Sequence, residues 1–369
     1  MSEGKACLAA LLLLASQPLT SLAGSQLPMA PSLDPPKVEN PATVIPRKLP
    51  LARKPTIEWT YHKSSDGSHP DGTEQQIMWL MNRARQNPTV EGEWLATESD
   101  PDVADGRTYF NVDLAILRSE FAALAARPPA AFDVRLYTAA LAHSLDLISR
   151  DAQDHTGQFD RIDSAGFHYS EARGSVFSYA DSGLNCHAAW NIDWGGNDGT
   201  GMQTGRGHRM ATMSGDGDYT NVGIAAVAES DPSTSVGPLV VTGNYAKANS
   251  GYSNHHNLFI VGTVWQDKNG NDRYDPGEGL GNVTVMPDSG TYYAVTADSG
   301  GYAIPITAGT YQVTFSGGSL GTAVVKTTTV DTESVLLDLI PGSSSTQTQE
   351  SGTSGILPLN ALLELLLGK

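Results

Sequence analysis

The 369-residue sequence has only two cysteines, few cations and no apolar segment long enough to span a bilayer. Cys7 lies in an N-terminal segment that we expect to be removed. Cys186 would then lack an intramolecular disulfide partner, and we expect it to pack as a small buried hydrophobe. Lysine and arginine number 23 against 40 acidic residues, a formal net charge of −17. This charge argues against binding to a nucleic-acid backbone and favours metal cations or neutral ligands.

Both ends of the chain differ in composition from its middle. Residues 1–23 resemble a secretory signal peptide, with a lysine, a short apolar run and small residues at the expected cleavage point. Residues 24–73 are proline-rich and locally basic, which is typical of an extended linker. Residues 342–369 form a Gly/Ser spacer followed by a short apolar tail. We therefore expect a secreted or cell-surface protein with no transmembrane span in the mature chain.

The middle of the chain has two regions with different hydrophobic periodicity. Residues 74–250 carry the helical pattern, and the predicted helices cover residues 74–87, 112–126, 133–151 and 186–192. Strand patterns follow at residues 222–227 and 239–245. Residues 258–341 instead contain seven short runs rich in Val, Thr, Tyr and Phe, separated by glycine-containing turns. The sequence therefore predicts an α+β fold at residues 74–250, followed by a small all-β sandwich at residues 258–341.

Four segments of the helical region resemble, in their order and spacing, the CAP (or SCP) superfamily of cysteine-rich secretory, antigen 5 and pathogenesis-related 1 proteins. They are residues 82–88, residues 139–146, residues 155–167 and Gly207-His208-Arg209-Met210. The resemblance implies a three-layer α-β-α sandwich with a large cavity. Two histidines and two acidic residues line this cavity in the family, and some members bind a divalent metal there. By position, His155 and His208 match the two histidines.

The acidic half of the implied cavity departs from the family. The usual Gly-Glu-Asn is here Arg173-Gly174-Ser175, so the first acidic position is Gly174, which has no side chain. Near the second acidic position, Asp193 is the carboxylate that we expect to face the cavity. Two imidazoles with Asp193 form a set that suits zinc or another divalent metal. A pair of carboxylates for general acid–base catalysis is much less convincing.

A second candidate metal site lies at residues 267–278, where oxygen-bearing side chains follow the spacing of a twelve-residue calcium loop. The ligands predicted for loop positions one, three, five, seven, nine and twelve are Asp267, Asn269, Asn271, the Arg273 carbonyl, Asp275 and Glu278. Position six is Asp272 in place of the usual glycine, and aspartate tolerates the left-handed conformation that this position requires. The alternative interpretation is a solvated turn without an ion.

The loop and the strands around it resemble the B-type repeat domains of bacterial surface adhesins, which are similar to the carboxypeptidase regulatory-like fold. That resemblance implies a spacer module stiffened by calcium. We therefore predict a secreted or surface binding protein, in which the CAP cavity holds a small ligand, a cell-surface component or a divalent metal. Two alternatives stay open: a metal-dependent hydrolase that uses His155 and His208, and a structural surface protein with a vestigial cavity.

Overall fold

Helices predominate in the first half and strands in the second half of residues 53–196 and 198–342, which are the residues that the computed structural model describes. The predicted signal peptide, most of the predicted linker and nearly all of the C-terminal spacer and tail lie outside them. The helices are α1 (Gly72–Gln86), α2 (Pro88–Thr97), α3 (Pro101–Tyr109), α4 (Leu114–Ala123), α5 (Val134–Arg150), α6 (Gln158–Ser164), α7 (Gly183–Ala188) and α8 (Gly207–Thr212), and a π-helical turn covers Ala189–Asp193.

The strands cluster in the second half of the chain. They are β1 (Ile57–Glu58), β2 (Ala131–Phe132), β3 (Tyr169–Ala180), β4 (Asn221–Ala228), β5 (Leu239–Ala248), β6 (Phe259–Thr263), β7 (Val283–Pro287), β8 (Tyr292–Val295), β9 (Gly301–Pro305), β10 (Gly309–Gly317), β11 (Val324–Val330) and β12 (Val335–Leu336). Helices and sheets together make the fold α+β, as the sequence predicts. In the described residues, no helix has the length and apolar character needed to cross a membrane.

Local capping explains where the first helices begin. The Asp71 side chain accepts a hydrogen bond from Glu74 N at 2.9 Å, and the Glu74 carboxylate accepts one from Asp71 N at 2.8 Å. This reciprocal capping box starts α1. The predicted helix at residues 74–87 is confirmed, but the chain does not leave helical structure at Pro88. Asn87 caps a second helix whose first residue is that proline, a position that proline favours.

The four-stranded sheet, in the order β2-β4-β5-β3, forms the centre of the helical region. Alternate residues of β5 face opposite sides. Tyr245 belongs to one hydrophobic cluster with residues of α1 and α7. On the other side, Thr242 accepts a hydrogen bond from Ser144 of α5 at 2.8 Å, and Asn244 donates one to the Leu136 carbonyl at 3.1 Å. Helices therefore cover both faces of this sheet, and β3 is one of its edges.

The C-terminal strands form a five-stranded sheet (β1-β8-β7-β10-β11) and a three-stranded sheet (β12-β6-β9). Side chains from both sheets, among them Ile260, Val285, Ile304 and Phe315, share one hydrophobic cluster. Strand β1 lies in the segment that the sequence analysis assigned to the linker, and it pairs in parallel with β8. The neighbouring Trp59 is 3% exposed. The end of the predicted linker is thus part of the folded β region, because it completes a sheet edge and buries an aromatic side chain.

Candidate functional site

The carboxylate of Asp193 holds His208 in a fixed orientation. The π-helical turn ends at Asp193 with a φ of +58°, a left-handed conformation that is uncommon for a residue other than glycine. Its buried carboxylate accepts hydrogen bonds from His208 Nδ1 at 2.8 Å and from His208 N at 3.0 Å. A carboxylate behind an imidazole fixes the tautomer and the ring direction, as it does behind metal-bound histidines. Asp193, predicted as a direct ligand, has both oxygens engaged by His208.

His155 is held by a neutral side chain, Gln158. His155 Nδ1 donates to Gln158 Oε1 at 2.6 Å, and Gln158 Nε2 donates to Asn244 Oδ1 at 2.9 Å. Gln158 is fully buried. A Cβ atom added at Gly174 would lie 2.5 Å from Gln158 Nε2. The amide of Gln158 therefore fills the space beside the position where the sequence analysis noted a missing carboxylate.

The two histidines share one geometric property. Each uses Nδ1 for a protein contact, and neither Nε2 has a hydrogen-bond partner among residues 53–196 and 198–342. His155 is exposed, and the His208 side chain retains 21% exposure. In each ring, Nε2 therefore has an available lone pair. Nε2 is the atom that can bind a metal or accept a proton.

The predicted trio of His155, His208 and Asp193 is not gathered at one point. Within the part of the chain that the structure describes, the one set of three His, Cys, Asp or Glu residues whose ligand atoms lie within 4.8 Å of each other is His69, Asp71 and Glu74. Asp71 and Glu74 are the capping box of α1, and His69 Nδ1 lies 2.8 Å from Glu74 Oε2. The two carboxylates already accept hydrogen bonds from the helix start, so their arrangement is explained by capping.

The predicted calcium loop is curled around its first residue. Asp267 accepts hydrogen bonds from Gly270 N at 2.7 Å and from Asp272 N at 3.0 Å. Although desolvation opposes them, these backbone N–H groups hold the pKa of Asp267 below its ordinary value. Asp272 has a φ of +57°, so it adopts the left-handed conformation expected at position six. The backbone of the loop therefore has the turn that a calcium loop requires.

Side chains from loop positions three, five and nine converge on one another. Asn269 Nδ2 and Asn271 Nδ2 each donate to Asp275 Oδ2 at 2.7 Å. Rotating both amides by 180° would direct their oxygens to the same point, and calcium prefers carboxylate and amide oxygens. Glu278 is 3% exposed and accepts hydrogen bonds from two backbone N–H groups of the loop. Arg273, expected to offer its carbonyl, also places its Nε 3.3 Å from Asp275. The donor set therefore suits a calcium ion by its chemistry, although no three carboxylates of the loop, all of them described residues, lie within 4.8 Å of one another.

The sequence analysis did not identify a charged cluster in the interior. Glu91, which is 2% exposed, accepts two hydrogen bonds from the Arg83 guanidinium at 2.9 Å and one from His187 Nε2 at 2.8 Å. His187 lies in the last turn of α7 and is 1% exposed. Burial lowers the pKa of His187 despite the Glu91 contact. Nothing in the spacing of these residues signals their contact.

The prediction that Cys186 packs as a buried residue agrees with the structure. Cys186 is a free, fully buried thiol, and burial raises its pKa well above the ordinary value. A thiol in this environment stays protonated and packs as an apolar group. His143 is also buried, with Nε2 3.0 Å from the Asp154 carbonyl.

Comparisons with known proteins include a weak structural similarity. No family model and no curated protein matches the chain. One similar solved structure is the 1.5 Å crystal structure of an extracellular protein containing a SCP domain from Bacillus anthracis str. Ames. The two are 18% identical, with a TM-score of 0.25, over 39% of this chain and 40% of that chain. An overlap of this extent does not by itself assign the chain to a family.

Proposed function

We propose that this chain is an extracellular binding protein with a CAP-type α-β-α sandwich, whose two anchored imidazoles bind a divalent metal or a small polar ligand. The adjoining β region is proposed to be a sandwich stiffened by calcium at residues 267–278. The support comes from the CAP-like segments, the signal-like N-terminus and the two free Nε2 atoms. In His208, the carboxylate of Asp193 supplies the orientation that metal-binding histidines commonly receive.

The single observation that favours binding over hydrolysis is the position of Gln158. A metal-dependent hydrolase needs a group that moves protons as the bond breaks, and a carboxylate is the usual choice. Beside Gly174 the structure has a buried amide, whose oxygen accepts from His155 and whose nitrogen donates to Asn244. An amide does not take up or release a proton at physiological pH. The site is therefore better suited to holding a ligand than to cleaving one.

The hydrolase alternative is supported by one arrangement, the Asp193–His208 pair. A buried carboxylate bonded to Nδ1 of an imidazole leaves Nε2 as a general base in many hydrolases. The same pair also orients a metal ligand, so the geometry alone does not distinguish the two activities. Turnover is the property that separates them.

A zinc titration of the full chain, combined with a turnover assay, tests the proposal. We expect His208→Ala and His155→Ala each to lower the zinc affinity at least about tenfold, because each removes one nitrogen ligand. His168→Ala is the control, since His168 is a 40% exposed side chain bonded to neither Gln158 nor Asp193. The zinc-loaded chain should release no product from peptide, cell-wall or nucleic-acid substrates. Hydrolysis that is lost in His208→Ala would establish the alternative and contradict the binding proposal.

A further inference from the structure

The calcium-type loop at residues 267–278 lies directly against helix α1. Gln76 of α1 is 4% exposed, and its Nε2 donates to Asp275 Oδ1 at 2.8 Å and to the Tyr274 carbonyl at 3.3 Å. Close by, a Cβ atom added at Gly72 would lie 3.1 Å from Pro276. A residue nearly 200 positions away in sequence therefore contacts the loop at the side chain predicted to be its ninth-position ligand.

The two carboxylate oxygens of Asp275 have different hydrogen-bond partners. Its Oδ1 accepts from Gln76 Nε2 of α1 at 2.8 Å and from Arg273 Nε inside the loop at 3.3 Å, while its Oδ2 accepts from Asn269 and Asn271. A carboxylate with one oxygen fixed has its second oxygen fixed in direction as well. The contact with Gln76, the shorter of the two at Oδ1, thus helps to hold Asp275 in the orientation that directs Oδ2 at Asn269 and Asn271.

A second contact joins the same two parts of the chain. Arg273, at loop position seven, lies 3.5 Å from Asp100, the residue that caps α3. The loop is therefore held from the helical region on two sides, by a hydrogen bond to Asp275 and by an ion pair to Arg273. A loop that only stiffened its own β region would need neither contact.

We propose that Gln76 is a positioning residue for calcium, so that ion binding in the loop and docking of the loop on α1 stabilise each other. This inference rests on the calcium part of the proposed function. If Gln76 fixes Asp275 in advance, the loop loses less freedom when the ion binds, and affinity rises. Because coupling between two binding events is reciprocal, calcium must also stabilise α1 in the full chain.

Calcium titration by calorimetry and hydrogen exchange of the full chain test this coupling. Gln76→Met keeps the side-chain volume but removes the donor to Asp275, and we expect calcium affinity to fall about tenfold. The matched control is Gln75→Met. Gln75 is also buried on α1 and donates to Thr263 at 2.8 Å, away from the loop. Its calcium affinity should stay within about twofold of the wild type. Calcium should slow amide exchange in α1 of the wild type and of Gln75→Met, but not of Gln76→Met.

A second variant covers the case in which Gln76→Met fails to fold. Gln76→Glu places a carboxylate against Asp275, so calcium should raise its melting temperature more than that of the wild type. Absence of calcium binding by the wild type, with Asp267→Ala identical to it, would overturn the calcium site itself. Calcium binding with equal affinity in Gln76→Met and wild type would overturn the coupling alone. Equal losses in Gln75→Met and Gln76→Met would also overturn it, because docking in general, not Gln76, would then set the affinity.

Discussion

At the scale of single residues, Glu91 carries a charge in the interior, where Arg83 and His187 contact it from two sides. Burial alone would raise the pKa of Glu91, but these two partners bring it below its ordinary value. The carboxylate therefore stays ionised at neutral pH, and its energy depends on both contacts. Arg83 also stacks on Trp94, with the guanidinium 4.3 Å from the ring centre.

We predict that Glu91→Ala lowers the free energy of unfolding by about 3–5 kcal/mol, because it removes the ion-pair partner of Arg83 and the hydrogen-bond acceptor of the buried His187 Nε2. Glu93→Ala is a close control on the same helix. Glu93 also pairs with an arginine, Arg118, but its side chain is 57% exposed and solvent screens the pair, so the loss should be much smaller than that of Glu91→Ala. Urea denaturation measures both. Equal losses of unfolding free energy in the two variants would show that the buried cluster stabilises the fold no more than an exposed ion pair does.

At the scale of elements, the packing of α6 on β3 depends on a glycine. Gly174→Ala should lower the unfolding free energy by about 1–3 kcal/mol, because the new methyl group would overlap the Gln158 amide. In a Gln158→Ala background the same substitution should cost at least about 1 kcal/mol less. Gly321→Ala, where nothing lies within 4 Å, controls for the glycine itself. Additive losses in this double-mutant cycle would mean that Gln158 does not occupy the space beside Gly174.

Elements with strong local signals could be predicted from the sequence, and those without them could not. Helix α5 was predicted within one residue at each end because Asp133 caps it and an apolar stripe continues along it. The seven strands from β6 to β12 follow the seven predicted runs. Helix α2 was missed because it begins at Pro88, the residue at which the predicted first helix stops, and α3 also begins at a proline. Strand β3 was missed because many of its residues are only partly buried, which obscures its alternation.

The candidate site likewise has residues that could be predicted from the sequence and contacts that could not. His155, His208 and the absence of a side chain at Gly174 could be read from motifs of adjacent residues. The hydrogen bonds that orient the site residues could not be predicted. Gln158, Asp193 and Gln76 contact partners that only the tertiary fold brings close. The spacing of a motif indicates which residues are candidates for a site. Their hydrogen-bond partners in the fold determine whether a carboxylate serves as a ligand or as an orienting group.

At the scale of the whole molecule, Asp338 joins the end of the β region to α1. Its carboxylate accepts hydrogen bonds from Trp79 Nε1 at 2.9 Å and from Thr263 N at 2.8 Å. Burial nevertheless raises the pKa of Asp338 to about 6, from an ordinary value of 3.8. Between these two values the folded chain binds more protons at this residue than the unfolded chain does. The contribution of Asp338 to stability therefore rises as pH falls from about 6 towards 4.

The difference in unfolding free energy between the wild type and Asp338→Asn should consequently grow in favour of the wild type by roughly 1–2 kcal/mol between pH 7 and pH 4. Asp331→Asn, at an exposed position in the same region, is the control substitution. Urea denaturation at a series of pH values measures both differences. A difference for Asp338→Asn that is independent of pH would contradict a raised pKa for this carboxyl group.

The central claim, that the two anchored imidazoles form a binding site, is tested most directly by anomalous diffraction from crystals of the full chain grown with saturating zinc. The account predicts an anomalous peak about 2.0–2.1 Å from His208 Nε2, with His155 Nε2 as a further ligand and Asp193 still bonded to His208 Nδ1. Crystals in which zinc occupies other positions while both Nε2 atoms remain without metal would contradict it.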